Sequence, residues 1–304
     1  MQDFTTLAYP SQREKNAMKQ TNILEILEFS DPVCTWCWAS EPVLRALKAR
    51  YAQQLDISFI MGGLVKDIRD FEDIDNEIGG DPSASNKQIR EHWLEASLHH
   101  GMPVTTGALE LFSDEHPSSY PQNIAYKAAQ FEDQELADKF LRRLREATAV
   151  EAKQTNQEEV LLALAKGIGL DTKQLLTHCT DGTAEAAFEM DLALTKAYKV
   201  RLLPTFILRY KGKEVVLENY QSVDTFEQAI QHLCRGELTA RGQSASSDTI
   251  LAFIRTYGRV VPIEIMMAFG LDMQKTMQYV HALHEKDLVI LQKAGNGIFI
   301  DAQV

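Results

Sequence analysis

Residues 29–38 read Phe-Ser-Asp-Pro-Val-Cys-Thr-Trp-Cys-Trp. Cys34 and Cys37 form a Cys-x-x-Cys pair directly after a strand-like run at 23–29 and directly before a helix-like run at 39–51. A cysteine at a helix N-terminus faces unpaired backbone N–H groups and the positive end of the helix dipole, which favours its thiolate. The second cysteine lies one turn away, within reach to close a disulfide. A structural zinc site would need two further ligands at similarly tight spacing, and the remaining Cys179 and Cys234 each stand alone in helix-like segments, where they pack as small apolar groups. A purely structural disulfide is also a poor reading, because so short a loop gives little stabilisation. No metal and no cofactor are expected.

On a strand of period two, Leu24, Ile26 and Glu28 share one face, so a carboxylate falls among apolar neighbours six residues before Cys34. If buried, Glu28 has a raised pKa and can pass protons to or from Cys37; the alternative is an exposed acid at a strand edge. Trp36 and Trp38 are candidates for an apolar substrate rim, with core packing the alternative for Trp38. A second strand-like run at 56–65 ends near Gly62-Gly63, and strand, helix, strand in this order predicts a parallel βαβ unit. Residues 66–81 are acidic and read as a solvated loop or a lid. Helical patterns then follow: one beginning at Pro121 in its first turn, an amphipathic one at 134–149, one at 158–167 capped by Asn156, one opened by Asp171, and one at 183–200. The β pattern resumes at 202–209 with Pro204 at the strand entrance, turns at 210–213, returns at 214–218, and closes with a helix at 224–234.

Taken together, Cys34-Thr-Trp-Cys37 on a strand-to-helix turn, Glu28 six residues earlier, a helical insertion, and Leu203-Pro204 before a hairpin and final helix resemble the DsbA family of thioredoxin-fold disulfide oxidoreductases. The resemblance covers residues 21–238, with the insertion at about 66–200, and is nearest to the cytoplasmic FrnE-like branch. It implies an α/β thioredoxin fold, Cys34 as nucleophile, Cys37 as resolving cysteine, Glu28 as the buried acid beneath them, and Leu203 with a cis Pro204 facing the dithiol. Strongly oxidising members carry histidine between the cysteines; Thr35-Trp36 supplies no positive charge there. The function implied is thiol–disulfide oxidoreduction or isomerisation through a mixed disulfide. Two alternatives remain open. Some cytosolic DsbA-like proteins of similar length are adaptors that deliver a regulator to a protease. The related kappa-class and hydroxychromene-carboxylate isomerases depend on glutathione, but usually carry serine at the nucleophile position.

The 304 residues, 45% of them hydrophobic, suffice for a full core. Residues 1–20 form a polar tail without the apolar stretch of a signal peptide, and no run approaches a membrane span, so a cytoplasmic location is expected. A net charge of −12 argues against general nucleic-acid binding. Residues 239–247 read as a linker. Beyond it, helical patterns at 248–257, 261–269 and 273–287 and a hairpin from 288–292 and 298–300 resemble a winged helix, making 248–304 a small α+β unit. Residues 245–304 carry five Lys/Arg against six Asp/Glu, and DNA readers concentrate cations instead. The partners expected are a protein or small-thiol disulfide, with a protein partner or a second copy of the chain at the C-terminal unit; nucleic acid and membrane are not.

Overall fold

The structure, a computed structural model, describes residues 22–242 and 244–303. The polar tail read at 1–20 lies outside the described residues.

Strand β1 (Leu24–Ser30) is the centre from which the site is built. It pairs in parallel with β2 (Leu55–Met61) and antiparallel with β3 (Thr205–Tyr210), and β4 (Lys213–Glu218) completes a sheet of order β2-β1-β3-β4. Helix α1 (Thr35–Tyr51) is the crossover between β1 and β2, as the parallel pair requires. The register sets Glu28 opposite Phe59 on one side and Phe206 on the other, so its carboxyl is flanked by aromatic rings at the sheet centre. The run read as a strand to residue 65 stops at Met61, because Gly62 donates back to Ser30 O at 2.7 Å and the chain turns. A Cβ on Gly62 would lie 2.9 Å from Leu203, the residue before Pro204, so glycine there makes room for that approach.

Between β2 and β3 the chain inserts six helices: α2 (Pro82–His100), α3 (Tyr120–Glu132), α4 (Gln134–Ala149), α5 (Glu158–Gly167), α6 (Thr172–Thr180) and α7 (Thr183–Ala197). Helix α2 was not singled out by periodicity, since its buried positions are mostly small or polar: Ser85, Asn86, Ser97 and His100 accompany Ile89, Trp93 and Ala96. Asn156 does not cap α5. Gln157 flanks that helix, and the Asn156 amide donates instead to the carbonyls of Leu111 and His116 at 2.7 and 2.8 Å. Helix α8 (Val223–Cys234) closes the first sheet with Phe226, Ile230 and Leu233 buried, as the stripe read from sequence requires. Cys234 is buried with them and Cys179 is half-buried.

The remaining elements are α9 (Ser247–Tyr257), β5 (Arg259–Val260), α10 (Pro262–Phe269), α11 (Met273–His284), β6 (Val289–Ala294) and β7 (Gly297–Ala302), with strand order β5-β7-β6. They pack onto the rest of the chain. Val261, Ala294 and Phe299 share one apolar cluster with Trp38, Trp93, Met102 and Val104. At the β6–β7 turn Asn296 donates to Val104 O at 3.0 Å, accepts from Val104 N at 2.9 Å and donates to Ser97 Oγ at 2.8 Å. Gly295 has a positive φ of 55°, and a Cβ on it would fall 1.9 Å from the Val104 carbonyl oxygen; only glycine permits this approach. Among the described residues no helix is long and apolar enough to cross a membrane.

Candidate active site

Asp31 and Pro32 shape the turn that delivers Cys34. Asp31 is fully buried: Oδ1 accepts from Val33 N at 2.9 Å, and Oδ2 accepts from Leu64 N, Ser119 Oγ and Asn123 Nδ2. This ties the loop after β1 to the end of β2 and to α3. Cys34 then occupies the N-cap of α1 in extended backbone, and its sulfur takes the place of a capping oxygen by accepting the Cys37 N–H at 3.3 Å. The same sulfur donates to Leu203 O at 3.5 Å, across the cis Leu203–Pro204 bond at the mouth of β3. The structure thus assembles Cys34, Cys37, Leu203 and Pro204 from segments 169 residues apart.

Cys37 is fully buried, and its thiol is pushed well above its ordinary value by desolvation first, then by Cys34 and Glu28, with Arg145 opposing. Glu28 is buried, not an edge acid, and burial pushes its carboxyl up to about 7 against the pull of Arg145 and Ser30. Its Oε1 accepts from Ser30 Oγ at 2.7 Å and from Arg145 Nη2 at 3.4 Å, while Oε2 has no hydrogen-bond partner among the described residues. An acid that titrates near neutrality beside a thiol whose ionised form is disfavoured can take the thiol proton when needed.

The rim is aromatic. Trp36 is half-buried, with its ring 5.7 Å from His100, 6.4 Å from His92 and 6.0 Å from Tyr220. Leu203, whose carbonyl faces the Cys34 sulfur, is half-buried and Leu202 is 54% exposed. Trp38, in contrast, does not reach the rim: it is 1% exposed, donates from Nε1 to Pro103 O at 2.9 Å, and lies under the Arg142 guanidinium at 4.4 Å. Its place among candidate substrate contacts is corrected, because two residues along the helix from Trp36 turn a side chain to the opposite face, from mouth to core.

Several residues at the site escaped the sequence reading. His100, at the end of α2, accepts Met102 N at Nδ1, which leaves the Nε2 proton to face Thr35 Oγ1 at 3.4 Å. Desolvation, with His92 and His99 adding to it, pulls its pKa down to about 4, so the ring beside the Cys-x-x-Cys turn is neutral. Beneath the dithiol lies a buried ionic chain. Arg145 donates to Glu28, Ser30 and Glu41; Arg142 donates to Glu146 and to both oxygens of Glu264; Arg45 pairs with Glu264 at 2.8 Å. Burial alone would raise Glu41, but Arg145, Arg142 and Arg45 outweigh it and hold the carboxyl at about 2. Arg145 was legible in part: it sits four residues after Leu141, on the apolar stripe of α4, where a cation signals a buried partner.

The pH dependence of stability follows from Glu28. Its folded pKa lies above the ordinary 4.5, so the stability tied to its neutral form is complete below about 4.5 and is lost as pH rises through about 7. Glu28→Gln is therefore expected to change stability little at pH 4 and to add on the order of 3 kcal/mol above the upper end of that window. Urea unfolding at pH 4, 5.5 and 8 checks this; equal gains at all three would remove Glu28 as the titrating group.

Residues 27–228 match the model of a thioredoxin family. The ClpXP adapter protein SpxH of Halalkalibacterium halodurans is 27% identical over 287 residues, which are 93% of this chain and 88% of that protein. SpxH of Bacillus subtilis is 23% identical, covering 91% of this chain and 88% of its own length. Among solved structures, the cytosolic disulfide reductase DsbM of Pseudomonas aeruginosa superposes with a TM-score of 0.55 at 22% identity, over 69% of this chain and 98% of DsbM. At that identity the likeness concerns the fold.

Proposed function

The chain belongs to the thioredoxin family, and on that premise we propose that it is a thiol–disulfide oxidoreductase acting on protein or small-thiol disulfides through Cys34 and Cys37. The observation that carries this reading is a Cys34 sulfur at a helix N-cap, facing Leu203 O, with a buried Cys37 and a near-neutral Glu28 behind it. The Cys34 thiolate attacks one sulfur of a substrate disulfide; that S–S bond breaks, a Cys34–substrate disulfide forms, and the other substrate sulfur leaves and takes a proton. Cys37 then gives its proton to Glu28 and attacks the Cys34 sulfur. The Cys34–Cys37 disulfide closes, the second substrate thiol departs, and two electrons have passed to the substrate. Run in reverse, the same steps oxidise a dithiol. Trp36, Leu203 and Pro204 supply the contacts for the substrate chain on either side of its sulfur. A cytoplasmic location, where dithiols are held reduced, and the FrnE-like placement belong to the same reading.

A second reading is favoured by a separate observation: the SpxH proteins, which match over nine-tenths of the chain, are named as ClpXP adapters. In this reading the protein binds a client and presents it to a protease, with the winged-helix-like residues 248–304 as a protein-contact surface. The two readings separate on Cys37→Ala. An oxidoreductase variant is expected to accumulate mixed disulfides with substrate on non-reducing gels, because Cys34 still attacks and nothing resolves the adduct. An adaptor binds its client equally well when both cysteines are serine and forms no such adduct.

A further inference from the structure

The ionic chain beneath the dithiol does not end within the thioredoxin-like part. Its far end is Glu264, on α10, a fully buried carboxylate of the C-terminal unit. Glu264 accepts Arg142 through both oxygens, pairs with Arg45, and takes the Val261 N–H at 2.8 Å. Arg45 is anchored further by the Arg259 carbonyl at 3.1 Å and lies over the Tyr257 ring at 4.4 Å. From Glu28 the order is Arg145, Glu41, Arg142, Glu264, each touching the next.

Charge counting along this chain has a consequence for Glu28. The guanidiniums of Arg45, Arg142 and Arg145 face the carboxylates of Glu41, Glu146 and Glu264, three against three. Arg143 and Arg259 also approach Glu146, each at 3.7 Å, but each has its own closer acid in Glu151 and Asp301. Glu28 is thus a fourth carboxyl on a chain whose cations are already matched. We infer that Glu264 is a positioning residue for the dithiol: by matching Arg142 and Arg45 it leaves Glu41 to Arg145, and so limits the hold of Arg145 on Glu28 to the one long contact at 3.4 Å.

The groups that face Glu28 are few. Helix α1 brings Cys37 and Glu41, α4 brings Arg145, β1 brings Ser30, and the flanking strands place Phe59 and Phe206 opposite it. None belongs to the C-terminal unit, so an effect of Glu264 on Glu28 must travel through Arg142, Glu41 and Arg145. Neutralising Glu264 leaves three guanidiniums against two carboxylates. Glu41 then shifts its pairing toward Arg142 and Arg45, Arg145 turns to Glu28, and the ionised form of Glu28 gains. Removing a cation at the same end acts in the opposite sense.

The test uses full-length protein labelled with carbon-13 at the glutamate carboxyls, and follows the Glu28 resonance, assigned by its loss in Glu28→Gln, against pH. The unaltered protein is expected to give a midpoint at about 7. Glu264→Gln, which keeps an oxygen for Arg142, is expected to move the midpoint down by roughly one unit, the effect of one freed neighbouring charge. Arg45→Met is expected to move it up. Glu285→Gln, on an exposed residue of the same unit, should leave it unchanged. A midpoint that stays in place in either folded network variant overturns the inference, and so does a matching shift in Glu285→Gln. The inference rests on the dithiol reading only for its relevance to catalysis, and turnover of a disulfide substrate by the same samples separates the two. Shifted midpoints without turnover remove the oxidoreductase reading alone; turnover with fixed midpoints removes the role of Glu264 alone.

Discussion

Cys34→Ser is expected to lower the rate of disulfide exchange by more than ~1,000-fold, because the attacking thiolate is lost and a serine hydroxyl does not ionise near neutrality. Few substitutions at this position disturb the fold less. Serine is a preferred N-cap residue, so its oxygen can accept the Cys37 N–H that sulfur now accepts at 3.3 Å, and the helix start at Thr35 is retained. The loss is therefore chemical and not structural. Reduction of an insulin-type substrate, followed alongside far-ultraviolet circular dichroism, measures both. A variant that keeps its full rate would remove Cys34 from the mechanism and leave the adaptor reading in its place.

Replacing Arg145 by methionine should cost about 3–5 kcal/mol of stability near neutral pH, the range found when one member of a buried ion pair is removed. Arg145 is fully buried and joins three acceptors from two elements, Glu28 and Ser30 on β1 and Glu41 on α1. Without it Glu41 keeps only Arg142, at 3.6 Å, and the field of Arg45. Glu28 loses its main stabilising charge and moves further up from about 7, so it stays neutral where the native protein exchanges its proton. The variant is expected to lose both stability and the neutral-pH rate of the resolving step. Lysine should recover only part of either, since one ammonium cannot span Ser30 and Glu41 in the way a guanidinium fork does. Urea unfolding and single-turnover kinetics give the two readouts. A destabilisation below about 1 kcal/mol would mean that Arg145 is dispensable to the chain of charges.

The chemistry at the mouth was legible because it is local. A Cys-x-x-Cys pair between a strand and a helix, a carboxylate on the apolar face of β1, and a proline before a hairpin each follow from spacing along one or two elements. What lay beneath was not. Arg145 meets Glu28 across 117 residues and Arg142 meets Glu264 across 122, and periodicity reports which face a residue shares, never which distant element covers it. The Cys-x-x-Cys dipeptide was read as lacking a histidine, yet α2 brings His100 to Thr35 from 65 residues away. In the C-terminal unit the three helices and the two hairpin strands fall within a few residues of the positions read from sequence, while the two-residue β5 was not read there. Its charge balance misled in one respect: a count of six acids weighs Glu264 like the others, whereas it is fully buried against two arginines of another part of the chain.

The central claim, that Cys34 and Cys37 form one exchangeable couple over Glu28, is tested most directly by mass spectrometry of the whole protein after equilibration across a series of glutathione poises and rapid alkylation. The expected result is that both thiols disappear together, with two electrons per molecule, and that peptide mapping finds them joined to each other, while Cys37→Ala stops at a glutathione adduct on Cys34. A Cys34 that carries glutathione while Cys37 stays free in the unaltered protein, or a pair that resists oxidation at every poise, would contradict the account.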